Sequence, residues 1–342
     1  MIVLNTTVGW QVGDDLIRRG VEDLLGLRAN RDYGTYYVNR AQAEVPACRM
    51  TDGELEAPSA PWNPYHEVQR GRPSCHDVMR GARLFVCAGT PEWASRAEGW
   101  WAAAIAHRVP IALVGVGMPQ GSAMVLVREA ASRGLVVAAT ARDRAALGEL
   151  GRSGVEARWY PCPATVGWPL DPSNRDRVDV LNPRLSCAGR PVRRDQLDFW
   201  ARVAADPSYS HCRLVVHEPA EVAEARAMFG REPFFSSRAE DYADLYLSTR
   251  WYLGGRLHGA LPVAAAGGAV NLLDAAPKFS AFWEVMAGAG MQDGDACRRV
   301  LTTDAPPPVA RVHRADSMRA YLAAAASDHS GYLGHRLGRL LP

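Results

Sequence analysis

The sequence between residues 251 and 273 contains a compact strand, helix, strand pattern that strongly restricts the fold. A short apolar run at 251–253 ends at Gly254-Gly255, small residues at 260–266 predict a helix, and a second apolar run fills 269–273. Such a unit places the polar residues after its first strand beside the N-terminus of its helix. Open α/β sheets bind anions at this position.

The same alternation of apolar runs and amphipathic segments recurs along most of the chain. Repeated units of this kind predict parallel sheets with helices on both faces. We expect strands at residues 1–5, 84–87, 111–116, 136–140, 155–160, 178–181, 214–217, 251–253 and 269–273. We expect helices at residues 14–25, 96–107, 122–132, 144–150, 193–205, 220–229, 239–247, 260–266 and from 315 to beyond 326.

The length of 342 residues exceeds what one ordinary core supports, so two domains are expected. Four prolines between residues 161 and 177 mark the linker, which divides the chain into Rossmann-like domains at 1–165 and 166–342. We therefore predict an α/β protein whose two parallel-sheet domains face each other across a cleft. Residues 51–74 are rich in proline and lack periodicity, which favours a loop near that cleft.

The composition argues against several classes of function. The net charge is +2 and the arginines are scattered, so nucleic acid is not an expected partner. No apolar run approaches the about 20 residues that span a bilayer, and we expect a cytoplasmic protein. The seven cysteines include no C-x-x-C pair, and no ligand cluster has diagnostic spacing, so neither disulfides, a metal nor a cofactor is expected. The oligomeric state is not indicated.

Several charged residues stand where the predicted strands end. Arg256 and His258 follow the strand at 251–253, Arg142-Asp143 follows another, and Asp14 opens the first helix. Lys278 is the only lysine among 39 basic residues, which suggests that a compact ammonium group is wanted there. Each residue also has an ordinary structural explanation: Asp14 would complement a helix dipole, His258 would cap its helix, and Arg256 would tie the domains together.

The order of these groups resembles the polysaccharide pyruvyl transferase family. The likeness spans nearly the whole chain, and its most specific part is the R-L-H-G turn with a lysine 20 residues after the histidine. The matching residues are Asn5, Gly13-Asp14-Asp15-Leu16-Ile17, Arg142-Asp143, His217-Glu218, Gly255-Arg256-Leu257-His258-Gly259 and Lys278. Two features differ from the family pattern: Asn5 lies eight residues before Gly13, and Gly255 replaces the usual serine.

The resemblance implies a GT-B-like fold and transfer of the enolpyruvyl group of phosphoenolpyruvate to a sugar, where it closes to a ketal. It implies that the donor, a substrate and not a cofactor, is held by Arg256 and His258. The second domain would then bind the donor and the first domain the acceptor. A lipid-linked acceptor would bring the protein into peripheral contact with a membrane.

The chemistry of that reaction suggests a role for each candidate residue. Arg256 and Lys278 would hold the phosphate and carboxylate of the donor beside a helix N-terminus that includes Gly255 and Gly259. His258 would be the general acid and Asp14 the base. The remaining candidates for base or substrate binding are Glu92, His217 and Arg142.

Two other functions fit the same residues. A GT-B glycosyltransferase would use the anion site for the diphosphate of a nucleotide sugar. A sugar or nucleotide sensor would close its cleft on the ligand without turnover.

Overall fold

The computed structural model of the chain describes residues 1–5, 12–27, 34–38, 74–89, 98–118, 124–166, 178–187, 190–218, 220–236, 239–273, 279–291, 297–307 and 316–341. The predicted loop at 51–74, apart from its last residue, and also Glu92 and Lys278 lie outside these residues. Among the described helices, none is both long and apolar enough to span a membrane.

The first domain is built on a six-stranded, fully parallel sheet with the strand order β2-β1-β3-β4-β5-β6. Its strands are β1 (Ile2–Asn5), β2 (Thr35–Tyr37), β3 (Leu84–Gly89), β4 (Ile111–Val116), β5 (Val136–Ala141) and β6 (Arg158–Trp159). The helices between them are α1 (Val12–Leu24), α2 (Cys75–Arg80), α3 (Glu98–Ala106), α4 (Met124–Ser132) and α5 (Arg144–Arg152).

Apolar side chains cover both faces of this sheet. Leu84 and Val86 of β3 join the cluster under α1, whereas Phe85 and Cys87 join the cluster under α3 and α4. Every residue of β3 and β4 is buried, as expected for central parallel strands with helices on both sides.

The second domain has a five-stranded parallel sheet with the order β10-β7-β11-β12-β13. Its strands are β7 (Val178–Asn182), β10 (Arg213–Leu214), β11 (Thr249–Gly254), β12 (Ala269–Leu273) and β13 (Cys297–Val300), with a separate hairpin of β8 (Ser186–Cys187) and β9 (Arg190–Pro191). Its helices are α6 (Arg194–Ala205), α7 (Ala220–Phe229), α8 (Ala239–Leu247), α9 (Leu257–Ala265) and α10 (Ser280–Gly288).

The two domains share one apolar core. The cluster under α1 continues into the second domain through α8, α9 and α10, and it also takes in the last helix, α11 (Asp316–Leu337). A short turn at Pro163–Thr165 packs against α1 and β4, where Gly20 and Gly115 make room for Pro163. A Cβ atom at Gly20 would lie 1.8 Å from the Pro163 carbonyl oxygen, so this contact requires glycine.

Helix α11 follows the second domain in sequence but packs on the first. The Tyr160 hydroxyl donates to Asp328 at 2.8 Å, and Arg336 Nε donates to the carbonyl of Val137 at 2.9 Å. His329 is buried, stacks on the Tyr160 ring at 4.2 Å, and its Nε2 lies 3.0 Å from Thr140 Oγ1 of β5. The last helix therefore completes the covering of the first sheet.

Because His329 is buried in this contact, the native protein should lose stability in acid. Burial lowers the pKa of His329 to about 3, so below about pH 6.5 the unfolded chain binds a proton that the native state does not. The free energy of unfolding should fall by about 1.4 kcal/mol per pH unit from this group as the pH drops from about 6.5 toward 3. Urea unfolding at a series of pH values measures the slope.

The matched control for this prediction lies on the same helix. His329→Leu should flatten the dependence on pH, whereas His335→Leu, at an exposed position, should leave it unchanged. Equal slopes for wild type and His329→Leu would contradict the prediction.

The predicted fold class is confirmed, and the predicted strands and helices mostly differ from the observed ones by one to three residues at their ends. The observed α9 begins at Leu257, three residues before the predicted helix, so His258 lies in its first turn. The pattern missed β2, α2, the hairpin, α10 and β13. Apart from α10, these are short or lie at the edge of a sheet, where fewer neighbours require an apolar pattern.

Candidate functional site

Arg142 lies at the carboxyl end of β5, where the first domain meets the second. Its backbone N–H donates to the Val116 carbonyl at 3.0 Å, which places the side chain beside Gly117. A Cβ atom at Gly117 would approach the Arg142 guanidinium to 2.9 Å, so glycine gives this side chain its room. Asp143 is the N-cap of α5, where its carboxylate accepts from Ala146 N at 2.7 Å, and it also accepts from Met118 N at 3.2 Å.

The guanidinium of Arg142 is buried without a counter-ion among the described residues. Only 1% of this residue is exposed, and Nη1 donates to His258 Nε2 at 3.3 Å and to Cys162 Sγ at 3.8 Å. Nε has no hydrogen-bond partner in the described part of the chain. A buried charge that is not paired is costly, so this arrangement favours the binding of an anion.

His258 comes from the other domain and lies in the first turn of α9. The N-cap of this helix is Arg256, whose side chain makes no capping hydrogen bond. The positive end of the helix dipole therefore lies next to the Arg142 guanidinium. Since a guanidinium only donates, His258 Nε2 is the acceptor of this hydrogen bond.

Arg256 is engaged in a buried network with two carboxylates. Its Nη1 donates to Glu218 at 2.8 Å, and its Nη2 donates to Glu221 and to the Ser186 carbonyl. Burial disfavours the charge, but the Glu221 and Glu218 carboxylates outweigh this and raise the pKa of Arg256 above its usual range. The arginine is therefore held by protein acids, and direct binding of the donor by Arg256 stays a prediction.

Glu221 links the loops that follow three strands of the second sheet. Its carboxylate accepts from the backbone N–H groups of Leu185 at 2.9 Å, Ser186 at 3.1 Å, Glu218 at 3.2 Å and His217 at 3.3 Å. Through Arg256 it also connects to the turn after β11. This network fixes the strand-end loops beside α9.

The glycines of the R-L-H-G turn allow close packing. A Cβ atom at Gly259 would lie 2.6 Å from the Tyr252 hydroxyl, and one at Gly255 would lie 3.1 Å from Cβ of Arg184. The Tyr252 hydroxyl is itself 2.9 Å from Asn182 Oδ1. Gly255 and Gly259 therefore have a structural reason to be glycine, and their contact with substrate stays a prediction.

His217 and Asp14 are both buried. The His217 Nε2 atom bonds the Tyr246 hydroxyl, and the ring packs edge-on against Tyr242 at 5.2 Å. Asp14 lies in the first turn of α1, next to Asp15, which accepts from Arg18 at 3.4 Å. Their assigned roles, substrate binding for His217 and general base for Asp14, stay predictions.

Three features around the candidate site were not predicted from the sequence. They are the Glu221 network, the contact of Cys162 with Arg142, and Glu284 of α10, whose two carboxylate oxygens each lie 3.1 Å from Arg144 N at the start of α5. Glu284 thereby binds the N-terminus of a helix in the other domain. For the Glu221 network, the available sequence signal was the spacing of Glu218 and Glu221 at the start of α7.

No family model matches this sequence, and no curated protein matches it. Solved structures of similar fold include a putative UDP-N-acetylglucosamine 2-epimerase from Listeria monocytogenes, at 13% identity and a TM-score of 0.51, over 98% of this chain and 91% of that chain. The UDP-GlcNAc 2-epimerase of Neisseria meningitidis bound to UDP-GlcNAc has 10% identity and a TM-score of 0.52, over 99% and 100%. That of Methanocaldococcus jannaschii in complex with UDP-GlcNAc and UDP has 12% identity and a TM-score of 0.51, over 99% and 98%.

These similarities establish the fold. The chain has two parallel-sheet α/β domains arranged as in GT-B proteins, and the arrangement extends over nearly its whole length.

Proposed function

We propose that this chain is a GT-B transferase that binds a nucleotide sugar through its diphosphate, at Arg142 and the N-terminus of α9. The observation that carries the proposal is the buried guanidinium of Arg142, which has no carboxylate partner among the described residues and faces a helix start in the other domain.

A diphosphate fits this arrangement by charge and geometry. It needs a fixed cation and the positive end of a helix, and the two are supplied from opposite sides of the domain boundary. Binding would therefore bridge the domains and supply the counter-ion that Arg142 lacks among the described residues. His258 would orient the Arg142 guanidinium, since its Nε2 accepts the hydrogen bond from Nη1.

The proposed transfer breaks the bond between the anomeric carbon and the diphosphate oxygen. The leaving diphosphate takes the electron pair, and Arg142 together with the dipole of α9 stabilises the charge that develops on it. An acceptor hydroxyl forms the new bond to the anomeric carbon and gives its proton to a base, for which Asp14 is the candidate.

Proteins of similar fold support the choice of ligand. The Neisseria and Methanocaldococcus structures contain UDP-GlcNAc, and the second also contains UDP. Their low identity limits this support to the class of ligand.

Pyruvyl transfer from phosphoenolpyruvate is the second candidate function. It is favoured by the meeting of two motif pieces that lie 116 residues apart, since Arg142 and His258 are in contact. It is disfavoured by the contact of His258 with Arg142, because Nε2 accepts a hydrogen bond there and is not placed to donate a proton. The glutamates that hold Arg256 also oppose its role as the cation for the donor.

A thermal-shift experiment separates the two candidates. We expect UDP and UDP-sugars at 100 times their dissociation constants to stabilise the protein by about 2.7 kcal/mol, and phosphoenolpyruvate to have no effect. Arg142→Gln should abolish the shift. Arg144→Gln, at an exposed arginine two residues away, is the matched control and should retain it.

A shift with phosphoenolpyruvate alone, lost in Arg142→Gln, would replace the proposal by pyruvyl transfer. Binding of nucleotide sugars without turnover of any acceptor would favour the sensor. A shift with nucleotide sugars that survives in Arg142→Gln would contradict the assigned site.

A further inference from the structure

A cavity of about 430 Å³ lies at the opposite end of the second sheet from the candidate site. It is formed where β7, β10 and β11 begin, so it is bordered by Asp179, Arg213 and Arg250 near the amino ends of these strands. The candidate site lies at the carboxyl end of β11, where α9 begins, and at that of β5 in the first domain. The cavity is therefore separate from the site proposed for the donor.

The floor of the cavity is a neutralised carboxylate. Asp179 is buried, and its two oxygens accept from Arg250, with Nε to Oδ1 at 2.9 Å. His211 Nε2 lies 3.1 Å from Asp179 Oδ2. Asp179 and Arg250 thus cancel each other's charge and hold the cavity in shape.

Two further arginines bring positive charge that no described acid balances. Arg231 donates to the carbonyls of Tyr209 at 3.1 Å and of Ser210, which are neutral acceptors. Arg213 lies over the Phe234 ring, 5.5 Å from its centre. Glu232, the other acid of the cavity, is paired with Arg226 at 2.7 and 2.9 Å. The cavity therefore carries two surplus positive charges in the described part of the chain.

From this charge and shape we infer that the cavity is a second binding site, for a small phosphorylated molecule. A phosphate dianion matches the two surplus charges, and one guanidinium group can donate hydrogen bonds to two phosphate oxygens at once. The volume falls within the range of pockets that bind small molecules. It is larger than a free phosphate ion requires.

We assign the side chains of this cavity a role in binding a ligand and none in catalysis. Cys212 is next to His211, but burial raises the pKa of its thiol to about 12, so no thiolate forms near neutral pH. No group of three metal-binding side chains occurs among the described residues. This site for an anionic ligand lies away from the proposed reaction. A ligand bound there would regulate the protein or anchor the second domain.

Equilibrium dialysis with 32P-labelled inorganic phosphate at low salt tests the inference. The wild type should bind two phosphates per chain, one at Arg142 and one in the cavity. Arg142→Gln should leave only the site in the cavity. Arg213→Glu, added to Arg142→Gln, should weaken the binding of phosphate at that site at least about tenfold. Arg194→Glu makes the same change of charge at an exposed arginine paired with Asp198, and should change the affinity less than about twofold.

Arg213 is chosen because it does not hold a buried acid, whereas loss of Arg250 would leave Asp179 unpaired. If Arg213→Glu does not fold, Arg213→Gln serves in its place. No binding by Arg142→Gln, or equal weakening by Arg213→Glu and Arg194→Glu, would overturn the inference. A single wild-type site that is lost in Arg213→Glu and kept in Arg142→Gln would support the cavity and contradict the donor site.

Discussion

Arg142→Met should make the ligand-free protein more stable while it removes binding of the anionic donor. The guanidinium is buried, the described residues offer it His258 and Cys162 but no carboxylate, and methionine fills a similar volume without the cost of burying a charge. Loss of the hydrogen bond to His258 costs about 1 kcal/mol, which is less than the several kcal/mol of burying an unpaired ion. We expect a net gain of about 1–2 kcal/mol in the free energy of unfolding.

The same substitution should weaken donor binding at least about 100-fold, since truncating one partner of a buried charge pair costs about 2–5 kcal/mol. Urea unfolding and calorimetric titration with UDP measure the two effects. Arg142→Lys is the control: it keeps the buried charge, so it should gain no stability. A methionine variant that is destabilised and still binds UDP would show that Arg142 is a structural residue.

Arg256→Ala should have the largest effect on folding of any substitution near the site. It would leave Glu218 and Glu221 buried without their cation, and breaking a buried ion pair in this way costs about 3–5 kcal/mol. The turn after β11 would also lose its connection to Glu221. Thermal and urea unfolding of the ligand-free variant measure the loss.

Two controls define what this result means. Arg193→Ala removes an exposed ion pair with Asp195 and should cost less than about 1 kcal/mol. Glu218→Gln added to Arg256→Ala should recover part of the stability, because one fewer buried charge is left unpaired. If Arg256→Ala folds as well as wild type but no longer binds donor, the arginine is a ligand of the donor after all.

The spacing of apolar residues predicted those strands and helices that are buried in the fold. β4 and β12 and helices α7 and α8 have the predicted bounds, because central strands and packed helices need continuous or amphipathic apolar patterns. Edge strands such as β2 and β13 carry fewer such requirements, and their patterns are correspondingly weak. The early start of α9 was missed because Gly259 and Pro262 are poor helix formers, and tertiary packing overrides this preference.

The candidate site was only partly predictable. The turn of Arg256 and His258 was found because it follows a strand and opens a helix. Its pairing with Arg142 depends on how the domains meet, and no local pattern encodes that. The surroundings of the two arginines also differ in a way that the sequence does not indicate: carboxylates surround Arg256, whereas Arg142 lacks one among the described residues.

Helix α11 has a consequence for synthesis on the ribosome. Translation runs from the N-terminus, so the first sheet is made roughly 150 residues before the helix that covers it. Until residues 316–341 emerge, the part of the shared core that Met318, Leu322 and Leu333 fill stays open, and Thr140 lacks His329. A nascent chain paused in the second domain should therefore expose apolar surface of the first domain and be a substrate for chaperones.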